Sequence, residues 1–305
     1  MEWIAAPSAG NWLRERLDDG YATMHGVVPR GYAAYARVFH PASVRSRPEI
    51  PDDVAVTWAD VASVFATRLH PLAQWRALVR TPDDEDWRTR NGPDGREFTS
   101  PEEGSMPPEL LASVARHLVE HTGTPDAGFA ALWAGWGGLL GFMGHSPSRS
   151  FFGFTDQPAH EQMLQRSIRS PFEDAFRRRT WQEGILSREI SEGPRLQLPG
   201  REHVLFSAPP RVFADPDWTL DAPWRDTVAE EHGFPPSAQH PSLIWPDDRA
   251  WVVVSEIDFD STIVAGSVDL VRAICADPAI EALPLAENAD LTWRADPSTG
   301  SGTTG

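Results

Sequence analysis

The stretch Pro241–Ser267, PSLIWPDDRAWVVVSEIDFDSTIVAGS, mixes apolar and acidic residues more densely than the rest of the chain and decides the fold. Two apolar runs, Ser242–Trp245 and Ala250–Ile257, flank the polar quartet Pro246–Arg249. A proline fixes φ at the start of a turn, and aspartates bond to their own backbone, so the quartet predicts a tight turn. The β-branched and aromatic residues on either side predict a β-hairpin.

The second strand of this hairpin becomes acidic towards its end. Its first residues are apolar on both faces, which is typical of a strand inside a sheet. Glu256, Asp258 and Asp260 follow at alternate positions, so a continued strand would place their carboxylates on one face, about 7 Å apart. Crowded carboxylates favour a bound cation or one raised pKa. The alternative is a solvated strand end, since charged side chains are mostly exposed.

An acidic loop and then a helix are predicted after this strand. Ser267 is a suitable N-cap for a helix over Val268–Ala276. The inward face of this helix is predicted to consist of small and aliphatic side chains: Val268, Val271, Ala273, Ile274 and Cys275.

Upstream of the hairpin, the hydrophobic pattern predicts further strands and helices. Strands are predicted at three apolar runs: Tyr32–Phe39, Phe129–Trp133 and His203–Ser207. Helices are predicted over residues 57–79 and 107–121, the first with a kink or a restart near His70, because Pro71 lacks an amide hydrogen. Loops are predicted in the polar or proline-rich segments: Ala42–Asp53, Thr81–Gly104 and Pro209–Gln239.

These elements predict an α+β fold, with helices packed on a mixed or antiparallel sheet. One large domain with irregular loop insertions is expected over residues 1–295. The Arg-rich segment 145–199 is a candidate peripheral helical lobe. Residues 296–305 contain nothing that would anchor them and are predicted to be a disordered tail.

Composition excludes several classes of function. The 305 residues carry a net charge of −17, which repels nucleic acid and anionic membranes. All 27 basic side chains are arginine, so a lysine Schiff base, the usual pyridoxal phosphate linkage and a P-loop lysine are excluded. The single cysteine, Cys275, excludes an internal disulfide and a cysteine-based zinc site. No cofactor, nucleic-acid partner or membrane partner is expected.

The chain opens without a charged and apolar leader, and it has no apolar run of membrane-spanning length. A cytoplasmic protein is therefore predicted.

A metal-like pattern lies at the end of the helix predicted over residues 107–121. His117, Glu120 and His121 have the spacing of the inverted zincin motif, with two imidazoles one turn apart and a glutamate placed to act as base. A catalytic zinc needs a third protein ligand, which the sequence does not single out. The alternative is two histidines near a helix end, where the helix dipole favours them.

Three further motifs are incomplete. Asp258–Val264 resembles the first motif of the haloacid-dehalogenase-type phosphatases, and this resemblance implies a nucleophile at Asp258 and an acid and base at Asp260. Such enzymes also need a downstream lysine, which is missing here. The glycines of Gly135–Gly141 do not have the dinucleotide-binding spacing, and Gly144–Ser148 lacks the last glycine of a nucleophile elbow. A hairpin or a close-packed bend anchored by Trp136 is predicted instead.

The hairpin is also the predicted binding site. An arginine fork at its turn can bind a carboxylate or phosphate, and large aromatic residues stand beside a row of carboxylates. The predicted binding residues are Trp245, Asp247, Asp248, Arg249, Trp251, Glu256, Asp258 and Asp260. If exposed, Trp133, Trp136, Trp245 and Trp251 would form a stacking platform; if buried, they belong to the core. Arg249 has an alternative role too, in which it neutralises its acidic neighbours and caps the turn.

Two stretches and a Trp-Gly-rich segment between them carry a resemblance over most of the chain. They are PRGYAAYARVFHP, residues 29–41, and LIWPDDRAWVVVSEIDFDST, residues 243–262. The chain resembles a family of uncharacterised actinobacterial proteins. This resemblance implies an actinobacterial source and carries over no catalytic residues.

No complete catalytic constellation survives this inspection. The sequence therefore favours a non-catalytic protein that binds a small molecule or a protein partner. The alternative is a metal-dependent hydrolase that uses His117, Glu120 and His121, or the carboxylates of Glu256, Asp258 and Asp260.

Overall fold

The computed structural model describes residues 1–20, 23–45, 53–82, 85–145, 149, 179–292 and 296. Its helices and antiparallel sheets confirm the predicted α+β class. Every strand pairing among these residues is antiparallel, so the mixed alternative does not occur there. Most of the predicted lobe and nearly all of the predicted tail lie outside the described residues.

The described elements are numbered in chain order. The strands are β1 Glu2–Trp3, β2 Ala34–Phe39, β3 Ala42–Arg45, β4 Val54–Val56, β5 Thr89–Asn91, β6 Glu97–Thr99, β7 Gly128–Trp133, β8 Phe142–Gly144, β9 Thr180–Gln182, β10 Leu196–Leu198, β11 Arg201–Ser207, β12 Leu243–Pro246, β13 Val252–Val254, β14 Ser261–Gly266 and β15 Ala282–Leu285. The helices are α1 Asn11–Arg14, α2 Trp58–Phe65, α3 Trp75–Leu78, α4 Pro108–Glu120, α5 Arg188–Glu192, α6 Thr227–Glu231 and α7 Val268–Ala276.

The predicted hairpin is confirmed and lies inside a nine-stranded sheet, with Leu243 opposite Val254 and Ile244 opposite Val253. The order of that sheet is β1-β11-β7-β12-β13-β14-β2-β15, and β10 also pairs with β11. Because β13 lies between β12 and β14 and is covered on both faces, its three valines are buried.

Two predictions near the hairpin are wrong. The strand does not continue to Ile257 but ends at Val254, where the chain turns back. The predicted acidic loop contains another strand, β14, whose six residues are all buried and pair with both β13 and β2. Asp258 and Asp260, which obscured the strand in the sequence, belong to the turn before it.

Helix α7 has the predicted bounds and the predicted cap, since the Leu270 amide donates to Ser267 Oγ. Its inward face is different, however. Leu270, Val271 and Ile274 are buried, whereas Val268 is 48% exposed. Val268 lies in the first turn of the helix, and the predicted Ala273 and Cys275 are half-buried.

Separate cores cover the two faces of the large sheet. Val253 and Val264 point into one core, which α4 and α7 close. Val252 and Ile263 point into the other core, which includes the N-terminal residues Trp12 and Leu13. This alternation follows from the period of two along a strand.

A small sheet, β4-β3-β6-β5, has three of its four strands in segments that were predicted to be loops. Val44 lies opposite Phe98, and both are buried under α2 and α3. Strands of three or four residues among Pro, Gly and Asp leave little periodic signal. The helix predicted over 57–79 is interrupted, as expected. The first helix, α2, ends at Phe65, because Ala66 takes a left-handed φ of 51°, and α3 begins at Trp75.

Three other segments are better anchored than predicted. Asp296 is 2% exposed and accepts a hydrogen bond from the Gln74 amide at 2.9 Å, so the predicted tail is not anchorless. In the segment predicted to be a peripheral lobe, residues 180–198 pack Leu186 and Leu196 into the cores. The loop predicted over 209–239 includes α6 and the buried Trp218 and Trp224.

Candidate functional site

The structure divides the predicted binding residues between the two ends of the hairpin. Asp247, Asp248 and Arg249 form its turn, whereas Glu256, Asp258 and Asp260 follow the far end of β13. Trp245 and Trp251 are 0% exposed. They present no surface to a ligand and belong to the core.

Contacts explain why these two tryptophans are inside. Trp245 stacks on Phe129 with ring centroids 5.4 Å apart. The Trp251 Nε1–H donates to the Leu118 carbonyl at 2.9 Å, which ties β13 to α4. A buried indole needs such an acceptor.

The three carboxylates do not form one row. Asp260 accepts from the Arg37 guanidinium at 3.1 Å. Glu256 and Asp258 share a different arginine, Arg201, with the Asp258 bond at 2.7 Å. The equal spacing expected from a continued strand is therefore wrong, because the chain has already left the strand.

The histidines of α4 have partners that are not metal ligands in a common site. His117 Nε2 donates to Asp277 at 2.8 Å, and His121 Nδ1 donates to the His117 carbonyl at 2.8 Å. Across the described ranges, no three His, Cys, Asp or Glu side chains come together in a way that could hold a metal. Nothing in this geometry favours the hydrolase alternative.

A polar cluster at one end of the large sheet forms around Arg201. Arg201 begins β11, Trp133 ends the neighbouring β7, and Glu256 follows the end of β13. Antiparallel pairing brings these strand ends together, with His203 directly opposite Trp133. This cluster is the candidate functional site.

The Arg201 guanidinium is the centre of the cluster. Its Cζ lies 5.1 Å from the centroid of the Trp133 ring, a cation–π contact. It also forms ion pairs with Glu256 and Asp258, whose side chains are 10% and 74% exposed. The inner carboxylate is therefore fixed, and the outer one is free to move into solvent.

Cavities adjoin Arg201 on two sides. An open groove of about 510 Å³ runs along Trp133, Leu140 and the β10–β11 turn at Gly200. A narrow cleft on the other side is lined by His203, Ser242 and Glu256. An aromatic wall with a few converging polar groups is the usual form of a ligand site.

Burial controls the charges in this cluster. Burial, helped by the charge on Arg201, lowers the pKa of His203 to about 3, so this imidazole is neutral at physiological pH. Burial raises the pKa of Glu256, although the Arg201 guanidinium opposes the shift. Arg201 Nε and His203 Nδ1 are buried and have no hydrogen-bond partner among the residues that the structure describes.

A second polar network lies at the same end of the sheet, inside the core. His40 Nδ1 donates to the Glu102 carbonyl at 2.9 Å. Nε2 is therefore the acceptor, and the Thr262 hydroxyl donates a hydrogen bond to it at 2.9 Å. Ser255 Oγ lies 2.6 Å from Thr262 Oγ1 and completes the chain. All three side chains are buried, so this relay has no access to a substrate and fixes the strand ends.

An apolar groove of about 550 Å³ lies beside α7, lined by Val271, Cys275 and Leu285 among others. The charged side chains along it, Arg272 and Glu287, are exposed. Polar groups are needed to orient a ligand. The groove at Arg201 is therefore the better candidate.

Sequence reasoning identified Glu256 and Asp258 but missed Arg201 and His203. These two residues alternate in Arg201-Glu-His203 at the start of a strand, so their side chains share a face. That signal was present but local. Their proximity to Glu256 follows only from the strand order.

No family model matches this chain, and no curated protein or solved structure matches it either. Among the described helices, none is long and apolar enough to cross a membrane. Function must therefore be argued from the site alone.

Proposed function

We propose that this chain is a non-catalytic binding protein that holds a small polar ligand in the groove at Arg201. The observation that carries the proposal is the buried Arg201 Nε, which lacks a partner among the described residues and belongs to a side chain that lines the groove. A buried polar group left unpaired costs about 1–3 kcal/mol. A ligand oxygen at Arg201 would recover part of that cost.

The charges around the groove indicate the class of ligand. Glu202, Glu256 and Asp258 outnumber the single guanidinium of Arg201, so an anionic ligand is disfavoured there. The carboxylates and Gln197 offer acceptors for hydroxyl or amino groups. A neutral or amine-bearing ligand with at least one acceptor oxygen fits this arrangement.

Contacts within the cluster support binding rather than catalysis. Glu256 is held by Arg201, and the hydroxyls of Ser255 and Thr262 are buried and bonded to each other. A catalytic site needs a base and a nucleophile within reach of a common substrate atom. A cytoplasmic location remains a prediction of the sequence.

The first prediction is that ligands found by screening depend on Arg201. A panel of neutral and amine-bearing polar small molecules would be screened by ligand-observed NMR, and the affinities of hits measured by calorimetry. We expect Arg201→Gln to weaken binding at least about tenfold, since hydrogen bonds to charged groups contribute about 1.5–3 kcal/mol. Arg211→Gln is the matched control, because Arg211 pairs with the exposed Asp126 outside the groove.

Loss of Arg201 leaves Glu256 unpaired, so a second variant guards against misfolding. Trp133→Phe keeps the ion pairs of Arg201 but reduces the aromatic surface that lines the groove, so it should also weaken ligand binding. If the hits bind both variants with wild-type affinity, the ligand site is not in this groove.

A further inference from the structure

Two arginines meet one tryptophan at the turn of the hairpin. Arg249 is the last residue of the turn, and Arg16 lies two residues after α1. Their Cζ atoms lie 5.2 and 5.3 Å from the Trp12 ring centroid. Two like charges are thus held against the same indole, outside the groove at Arg201.

Neither guanidinium has a carboxylate partner among the described residues. This is unexpected for a chain whose net charge is −17. The nearby Arg30 shows the alternative, since it donates to Asp18 at 2.9 Å and to Asn288 at 2.7 Å. Two cations without a carboxylate partner on the same indole repel each other, and a bound anion would reduce that repulsion.

The carboxylate next to Arg249 is already engaged. Asp248 accepts hydrogen bonds from the Thr122 hydroxyl at 2.8 Å, the Gly123 amide at 2.7 Å and the Ala250 amide at 3.0 Å. These hydrogen bonds occupy the Asp248 carboxylate within the fold. Asp248 therefore stabilises the turn, and Arg249 remains available.

The backbone at Arg249 also favours a different residue. Its φ is 57°, in the left-handed region that glycine and asparagine adopt at the lowest cost. A turn alone does not need a long cationic side chain at this position. The side chain therefore serves another purpose than the turn.

Further hydrogen-bonding groups surround the two arginines. The Tyr32 hydroxyl donates to the Arg249 carbonyl at 3.3 Å, which ties the turn to the N-terminal segment. The Trp12 Nε1–H is buried and has no acceptor in the described part of the chain. The Tyr32 bond fixes the Arg249 backbone and leaves its guanidinium charge unchanged.

We propose that Arg16 and Arg249 form a receptor for a phosphate-type oxyanion. Guanidinium groups present paired N–H donors that match phosphate oxygens. This second site lies at the other end of the hairpin from Arg201 and has the opposite charge preference. It does not depend on the function proposed for the groove.

The test measures binding of inorganic phosphate at constant ionic strength, from the arginine Nε–Hε resonances of the full chain. We expect Arg16→Gln and Arg249→Asn each to weaken phosphate binding at least about tenfold. Arg272→Gln removes the same charge from an arginine paired with Asp269, and it should bind as the wild type does. Phenyl phosphate is a second probe. The comparison of its affinity with that of inorganic phosphate shows whether the site prefers a phosphate ester or the free ion.

The choice of asparagine at position 249 separates binding from folding. Asparagine tolerates the left-handed backbone, so the unfolding midpoint of Arg249→Asn should stay within a degree or two of the wild type, or rise. Wild-type protein that shows no phosphate-dependent shift would overturn the proposal. So would equal weakening by Arg272→Gln, because binding would then be a general effect of charge. If Arg249→Asn does not fold, Arg16→Gln decides the question alone.

Discussion

Arg37 shows an arginine in which each guanidinium nitrogen has an acceptor. It is buried, and it donates to Ser261 Oγ at 2.8 Å and to the carbonyls of Pro71 and Ala73. Its ion pair with Asp260 completes the set. Buried polar groups are almost always satisfied in this way, whereas the buried Nε of Arg201 is not.

Val253 is the residue for which burial makes the plainest prediction. It is 0% exposed, at the centre of the large sheet. Val253→Ala should lower the free energy of unfolding by about 2–3 kcal/mol, because the transfer and cavity costs add. Urea unfolding measures this change. A loss below about 0.5 kcal/mol would mean that the position is not packed.

At the scale of single elements, the hairpin turn depends on one of its two aspartates. Asp248 accepts three hydrogen bonds, two from Thr122 and Gly123 in the loop after α4 and one from Ala250 directly after the turn. Asp247 is exposed, and only its backbone amide is engaged, with the Ala127 carbonyl. Adjacent residues of the same type therefore have different roles.

This difference can be measured with a matched pair. Asp248→Ala should lower the free energy of unfolding by about 1–3 kcal/mol, because it leaves the Gly123 and Ala250 amides without their acceptor. Asp247→Ala should change it by less than about 0.5 kcal/mol. Equal effects in thermal or urea unfolding would show that charge, and not the bonding of Asp248, stabilises the turn.

Elements with local signals could be predicted from the sequence. The hairpin has a proline-led turn between β-branched runs, and α7 has Ser267 as its cap, so both were found. The strands β3 and β6 could not be found, because each has only three or four residues, and their pairing with each other joins segments that are distant in sequence. For the same reason Glu256 could be suspected as a site residue, whereas its partner Arg201 could not.

At the scale of the whole molecule, three buried histidines link stability to pH. Burial is the main cause that lowers the pKa of His40 to about 4 and those of His203 and His240 to about 3. Their unfolded pKa is about 6.5. The unfolded chain therefore binds more protons below pH 6.5, and stability falls as the pH falls.

Urea unfolding between pH 7 and pH 5 tests this linkage. Stability should decrease below pH 6.5 with a slope that approaches about 1.4 kcal/mol per pH unit for each histidine. Burial raises the pKa values of Glu256 and Asp260, and protonation of these carboxylates acts in the opposite sense, so the test is confined to pH 5 and above. His240→Leu should lower the slope by the contribution of one histidine, about 1.4 kcal/mol per pH unit. A wild-type free energy of unfolding that does not change with pH would contradict the prediction.

The strand order also determines how long β2 lacks its partner strands during synthesis. The strand β2 precedes its two partners, β14 and β15, by most of the described chain. At about 5–20 residues per second, the delay between them is about 10–45 s. During this time the segment Ala34–Phe39 lacks both of its strand partners. An unpaired strand can pair with another chain, and the arrival of β14 and β15 removes that exposure.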